Sequence, residues 1–176
     1  MIDTIYTGRT WKFGDNISTD LMVPGMLVFA RRENFVRDEA AKYCMHSNRP
    51  DWAAQVRHGD VLVAGSNFGC GSSRNGSEPL KSLGISVVVA ESVSRIHLRN
   101  AINTGLPTLI CRGISDAVTE GQELRVNIET GAVENLDTGE TLMADRWPAD
   151  SPPFEILMAG GFMPFFQRRL TEAGML

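Results

Sequence analysis

Cysteine is scarce: the 176 residues contain only Cys44, Cys70 and Cys111, scattered along the chain. No two have the close spacing of a zinc or iron-sulfur ligand set, so this chain is expected to hold no metal. Basic charge is also lacking. A formal net charge of −4 gives no sign of a nucleic-acid surface, and acidic small molecules would have to be held by local features. Apolar runs long enough to span a bilayer are absent, and the opening MIDTIYTGRTWKF lacks the basic start and apolar core of a secretory signal. A cytoplasmic protein is expected. Nor is there an internal repeat or low-complexity tract, so residues 1–176 are expected to form a single domain with a core of its own.

What the sequence does contain is organised around residues 61–83. Val61 to Ala64 form a short apolar run suited to a buried strand. Gly65, Gly69 and Gly71 then let the backbone turn sharply, and Ser72 or Ser73 stands where a helix N-cap belongs. A helix opening there would gather unpaired N–H groups and the positive end of its dipole, a setting that favours a carboxylate, with Arg74 as a planar fork for two oxygens. Gly76 weakens such a first turn, so a start nearer Ser77 is the alternative. Gly84 fits a left-handed C-cap. Cys70, inside the turn, reads as a small packing residue, with a stabilised thiolate as the competing reading.

Elsewhere, residues 9–13 read as an opening strand, Gly14-Asp15-Asn16 as a turn, and Ile17 to Asp20 as a capped turn before a strand or as polar groups aimed at a ligand. Residues 33–57 read as helical or irregular surface, with His46 and His58 as surface or structural residues. Ile85 to Ala90 is a β-branched run expected of a strand covered on both faces. Residues 92–103 have helical spacing, with Val93, Ile96, His97 and Ile102 as inward positions, and Gly105 stops that helix. Leu106 to Cys111 is a further strand. This alternation predicts an α/β fold with a mainly parallel core sheet and flanking helices. A pair of β-hairpins is added over residues 122–142, and one or two closing helices lie around Gly160-Gly161.

Asn-Phe-Gly-Cys-Gly-Ser-Ser-Arg at 67–74 resembles the signature of the aconitase superfamily's swivelling domain, and most closely the separate small subunits of 3-isopropylmalate dehydratase and homoaconitase. The pattern from Asp15 to Pro24, the block AESVSRIHLRNAINTGLP and the C-terminal AGG-Met-Pro also resemble that family. The resemblance implies a swivel-type β/β/α domain in a hydro-lyase that dehydrates and rehydrates a small hydroxy di- or tricarboxylate, 3-isopropylmalate or a close analogue. It implies Ser72 as the base and Ser73 and Arg74 as substrate ligands, with Asn67, Gly71, Thr19, Asp20 and Arg31 as further candidates. It also implies a larger partner, in a heterodimer or heterotetramer, that carries a 4Fe-4S cluster.

Two stretches depart from the family pattern. The segment 25–32 lacks the usual Tyr-Leu pair, and Asn75-Gly76-Ser77 replaces Glu-His-Ala. Hydration of a substituted maleate, a homoaconitase role, and a carboxylate-binding module without catalysis therefore stand as alternatives. The family also usually carries an aromatic where His97 and Leu98 stand, which marks His97 as a core or rim residue rather than a base.

Overall fold

Two apolar runs set the architecture. Strand β2 (Val61–Ala64) and strand β3 (Val87–Ala90) are buried along their whole length. Because successive side chains alternate, Leu62, Ala64, Val88 and Ala90 pack on one side with Trp11, Trp52, Phe68 and Leu80. Val61, Val63, Val87 and Val89 pack on the other with Leu109, Leu124, Val126 and Leu157. Burial on both sides is why these runs carry no polar alternation.

The computed structural model describes residues 2–23, 41–71 and 74–175. Among them, β1 (Ile5–Lys12), β4 (Thr108–Ile110), β5 (Glu123–Asn127), β6 (Ala132–Asn135) and β7 (Thr141–Met143) complete a seven-stranded sheet of order β4-β3-β2-β1-β5-β6-β7. The half from β4 to β1 is parallel, in the register Thr10↔Val61, Val61↔Val87 and Val88↔Thr108. The half from β1 to β7 is antiparallel: β1 pairs β5 with Tyr6↔Val126, and β5, β6 and β7 form the expected hairpins, with Val126↔Val133 and Val133↔Leu142. The sheet curls, because the Asp145 N–H beyond β7 donates to the Ile110 carbonyl of β4 at 2.7 Å.

Among the described residues the helical segments are α1 (Thr19–Met22), α2 (Trp52–Gln55), α3 (Ser77–Leu83), α4 (Arg95–Thr104), α5 (Ile114–Ala117), α6 (Pro152–Met158) and α7 (Phe162–Glu172). Gly84 and Gly105 close α3 and α4 in the left-handed conformation, as expected. Three expectations are corrected. Residues 19–22 form a helical turn rather than leading into a strand, because the Ser18 hydroxyl accepts from the Asp20 N–H and caps it. The 41–55 stretch is not surface throughout: Cys44, Met45 and Trp52 are buried against Trp11 and Phe13. Ile96, expected inward, is 52% exposed, while His97 and Ile102 are buried.

The start of β2 is pinned electrostatically. Asp60 Oδ2 accepts from Arg9 Nη2 at 2.8 Å, Trp11 Nε1 at 2.6 Å and the Arg57 N–H at 2.9 Å. Burial alone would raise the Asp60 pKa, but these three donors and the Arg9 charge outweigh it and hold the carboxyl below its ordinary value. A lowered folded-state pKa contributes stability that is fully present above the unfolded value and is lost as pH falls through the folded one. Urea unfolding at a series of pH values is expected to show stability falling below about pH 4. In Asp60→Asn that acid dependence is shallower, and Asp60→Ala costs about 2 kcal/mol near neutral pH.

Candidate active site

Strands β1, β2 and β3 are parallel neighbours, so their C-terminal ends share one side of the sheet, the usual ligand position in such folds. The connections that follow them, residues 13–20, 65–71 and 91–94, are tied together. Toward the first connection, Gly65 N–H donates to Gly14 O at 3.1 Å, Ser66 N–H to Asp15 Oδ1 at 2.7 Å and Gly69 N–H to Ile17 O at 2.8 Å. In return, Asn16 N–H donates to Ser66 O and Thr19 N–H to Cys70 O, both at 2.8 Å. Toward the third, Asn67 N–H donates to Ser92 Oγ at 2.8 Å, Phe68 N–H to Ser92 O at 2.9 Å and Ser94 Oγ to Gly69 O at 2.6 Å. The glycine turn is thus a strap fixed along both margins, with its backbone groups largely satisfied.

Glycine is required at Gly65 by contact: a Cβ there would stand 2.0 Å from Asp15 Oδ1. Asn16 and Asn67 take φ of 56° and 61°, a conformation asparagine tolerates better than most residues. Their side chains meet, Asn67 Nδ2 donating to Asn16 Oδ1 at 2.9 Å. Gly71 is exposed, and a Cβ on it would lie 3.4 Å from Ser18 Cβ and 3.8 Å from Thr19 Oγ1. Arg74 reaches back to the first connection, Nη1 donating to Asp20 Oδ1 at 2.8 Å and to Val23 O at 3.2 Å.

The structure therefore brings Thr19, Asp20, Asn67, Gly71 and Arg74 together around one turn. Ser72, Ser73 and Arg31 lie outside the described residues, as does the 25–32 segment. Of the two expected helix openings, the one at the serines is corrected and the alternative nearer Ser77 is the one found. Helix α3 begins at Ser77, with Gly76 at its N-cap and Glu78 and Pro79 in its first turn. Asn75 Oδ1 accepts from the Ser77 N–H at 3.2 Å, a local turn that delays the helix. Its dipole accordingly starts at Ser77, and Arg74 is the charge-stabilising group at hand.

Sequence reading did not single out Ser92, Ser94 or Asp15 for the site, although all three fix the strap. The signals were turn-type residues beside strand ends and their place in two stretches that resemble the family, Asp15 to Pro24 and AESVSRIHLRNAINTGLP. His97 is fully buried under Phe68, ring centroids 5.1 Å apart and nearly perpendicular. Burial pushes its pKa down to about 4, so the imidazole is neutral near pH 7. Among the described residues, no group of three or more histidine, cysteine or acidic side chains converges as a metal site. Cys44 and Cys111 are buried and Cys70 is half-buried. Burial raises the Cys44 thiol pKa, and burial followed by the Glu91 and Asp145 charges raises that of Cys111 to about 11.

A curled sheet with a parallel half, and a glycine strap with an arginine at the strand ends, define the swivel-type α/β domain of the aconitase superfamily. The chain belongs to the aconitase C-terminal domain family, whose model matches residues 15–113. It is 47% identical over 172 residues to the isopropylmalate/citramalate isomerase small subunit of Methanocaldococcus jannaschii, covering 97% of this chain and 98% of that one. It is 38% identical over 170 residues to the methanogen homoaconitase small subunit of Methanothermobacter thermautotrophicus, covering 96% and 95%. A crystal structure titled 3-isopropylmalate dehydratase, from M. jannaschii, superimposes with a TM-score of 0.88 at 33% identity, over 97% of this chain and 98% of that one.

The strap's margin is open to a direct check. Gly65→Ala drives a methyl into Asp15 and is expected to lower stability by about 2 kcal/mol in chemical unfolding. Pairing it with Asp15→Ala should restore part of that loss, since the obstructing carboxylate is gone.

Proposed function

We propose that this chain is the small subunit of a hydro-lyase that dehydrates and rehydrates 3-isopropylmalate or a close analogue, working with a larger partner subunit in the cytoplasm. The observation that carries the reading is the placement of Arg74. Its guanidinium lies across the end of the strap against Asp20 and Val23, within the cluster that holds Thr19, Asn67 and Gly71. A hydroxy diacid needs a cation for its carboxylate and a base for a weakly acidic C–H. Arg74 supplies the first, and Ser72, joined to it through Ser73, is assigned the second.

In this reading Ser73 and Arg74 hold one substrate carboxylate, and Ser72 takes the proton from the carbon whose neighbour loses the hydroxyl. A serine hydroxyl is a poor base, so its alkoxide must be stabilised by nearby N–H groups and by the Arg74 charge. Asp20 keeps the Arg74 fork oriented until the substrate carboxylate arrives, and Thr19, Gly71 and Asn67 shape the wall beside it. Arg31 is assigned a second carboxylate. An iron-sulfur cluster in the large subunit would supply the Lewis acidity that a departing hydroxyl requires. Rehydration returns the proton and places the hydroxyl on the adjacent carbon.

A second substrate is favoured by a specific observation: the relative at 47% identity is named for citramalate as well as isopropylmalate. The two diacids differ in their alkyl group, which a pocket wall outside the strap would read.

Mutants assayed in the assembled two-subunit complex test the assignment. Ser72→Ala is expected to abolish dehydration while leaving subunit assembly intact, and turnover within about threefold of the parent would remove Ser72 as the base. Arg74→Lys is expected to raise KM by roughly tenfold or more, because an ammonium cannot reproduce the bidentate fork. An unchanged KM would contradict that placement.

A further inference from the structure

We propose that His97 is a positioning residue: its ring is the floor on which the 67–71 turn rests, and so it sets where Arg74 stands. The inference rests on the reading of the 65–74 segment as the substrate site. It adds a residue from the helix behind that segment.

His97 lies in the first turn of α4 and is fully buried. A Cβ on Gly69 would stand 2.2 Å from His97 Cγ, 2.3 Å from its Cβ and 2.8 Å from its Cδ2, so the Gly69 backbone lies directly on the ring. Phe68 meets the same ring edge to face at 89°. The backbone couples the two further: Ser94 Oγ donates to Gly69 O at 2.6 Å and accepts from the His97 N–H at 3.3 Å. Among the described residues neither Nδ1 nor Nε2 has a hydrogen-bond partner. Among the described residues the ring therefore acts through its packed surface and not through polar contacts. With φ of 72°, Gly69 presses its bare backbone onto that surface, and no other residue type fits between. Removing the floor leaves the turn held only at its margins, free to sink toward the core and carry Arg74 with it.

The test compares His97→Ala and His97→Phe with the parent, first as the full chain and then in the complex with its large subunit. In the chain, amide exchange of Phe68 and Gly69 is expected to accelerate about tenfold or more in His97→Ala relative to Val63 and Val88, and to return toward the parent in His97→Phe. In the complex, His97→Ala is expected to lower kcat on 3-isopropylmalate about tenfold with subunit affinity unchanged, and His97→Phe to recover most of it. Unchanged exchange in the turn, or a loosened turn with full turnover, overturns the proposal. A parent complex inactive on every hydroxy diacid would sink the functional reading instead, while the exchange data would still decide whether the ring is the floor.

Discussion

The hydrogen bonds that fasten residues 65–71 between two neighbouring connections are the constraint on which the site depends. A glycine-rich turn has more conformations to lose than any other segment, so its shape must be imposed from outside. Here the 13–20 connection holds one margin and Ser92 and Ser94 hold the other, with His97 beneath. The two margins follow the C-terminal ends of β1 and β3, the strands that pair parallel with β2 on either side. The rigidity of the β1-β2-β3 core is thereby passed to the turn, and Asp60 pins the start of the strand that feeds it.

Charge is managed locally in a chain that is acidic overall. The Arg74–Asp20 pair is partly exposed and contributes little to stability, yet it holds a guanidinium in one orientation at the end of the strap. In the proposed function, an anionic substrate meets a fork already facing the cluster. Helix α3 is short and begins only at Ser77, so its dipole is a lesser element of this arrangement than the arginine.

Much of this was legible in the sequence, and for physical reasons. Val61 to Ala64 and Ile85 to Ala90 are β-branched or small apolar runs that only a doubly covered strand accommodates, and both strands lie within those bounds. Gly84 and Gly105 marked helix ends because left-handed caps demand glycine. The 67–74 string carried the family. The start of α3 was less legible, because Ser72-Ser73 and Asn75-Gly76 compete as helix openers and the Asn75 turn decides between them only locally. Ser92 and Ser94 were hidden because their partners lie more than twenty residues away, at a separation that only the folded sheet closes; His97 was read as inward, but its contact with Gly69 was out of view across the same separation. Burial of Cys44 and Trp52 was missed for the same reason: their polar neighbours in sequence mask an apolar partner, Trp11, on a distant strand.

The most direct measurement is anaerobic turnover of 3-isopropylmalate by this chain mixed with the large, cluster-bearing subunit proposed for its host, with each subunit alone as the control. Dehydration by the mixture and by neither subunit alone is the expected result. Turnover by this chain alone, or a stable cluster-loaded complex that dehydrates no hydroxy diacid, would contradict it.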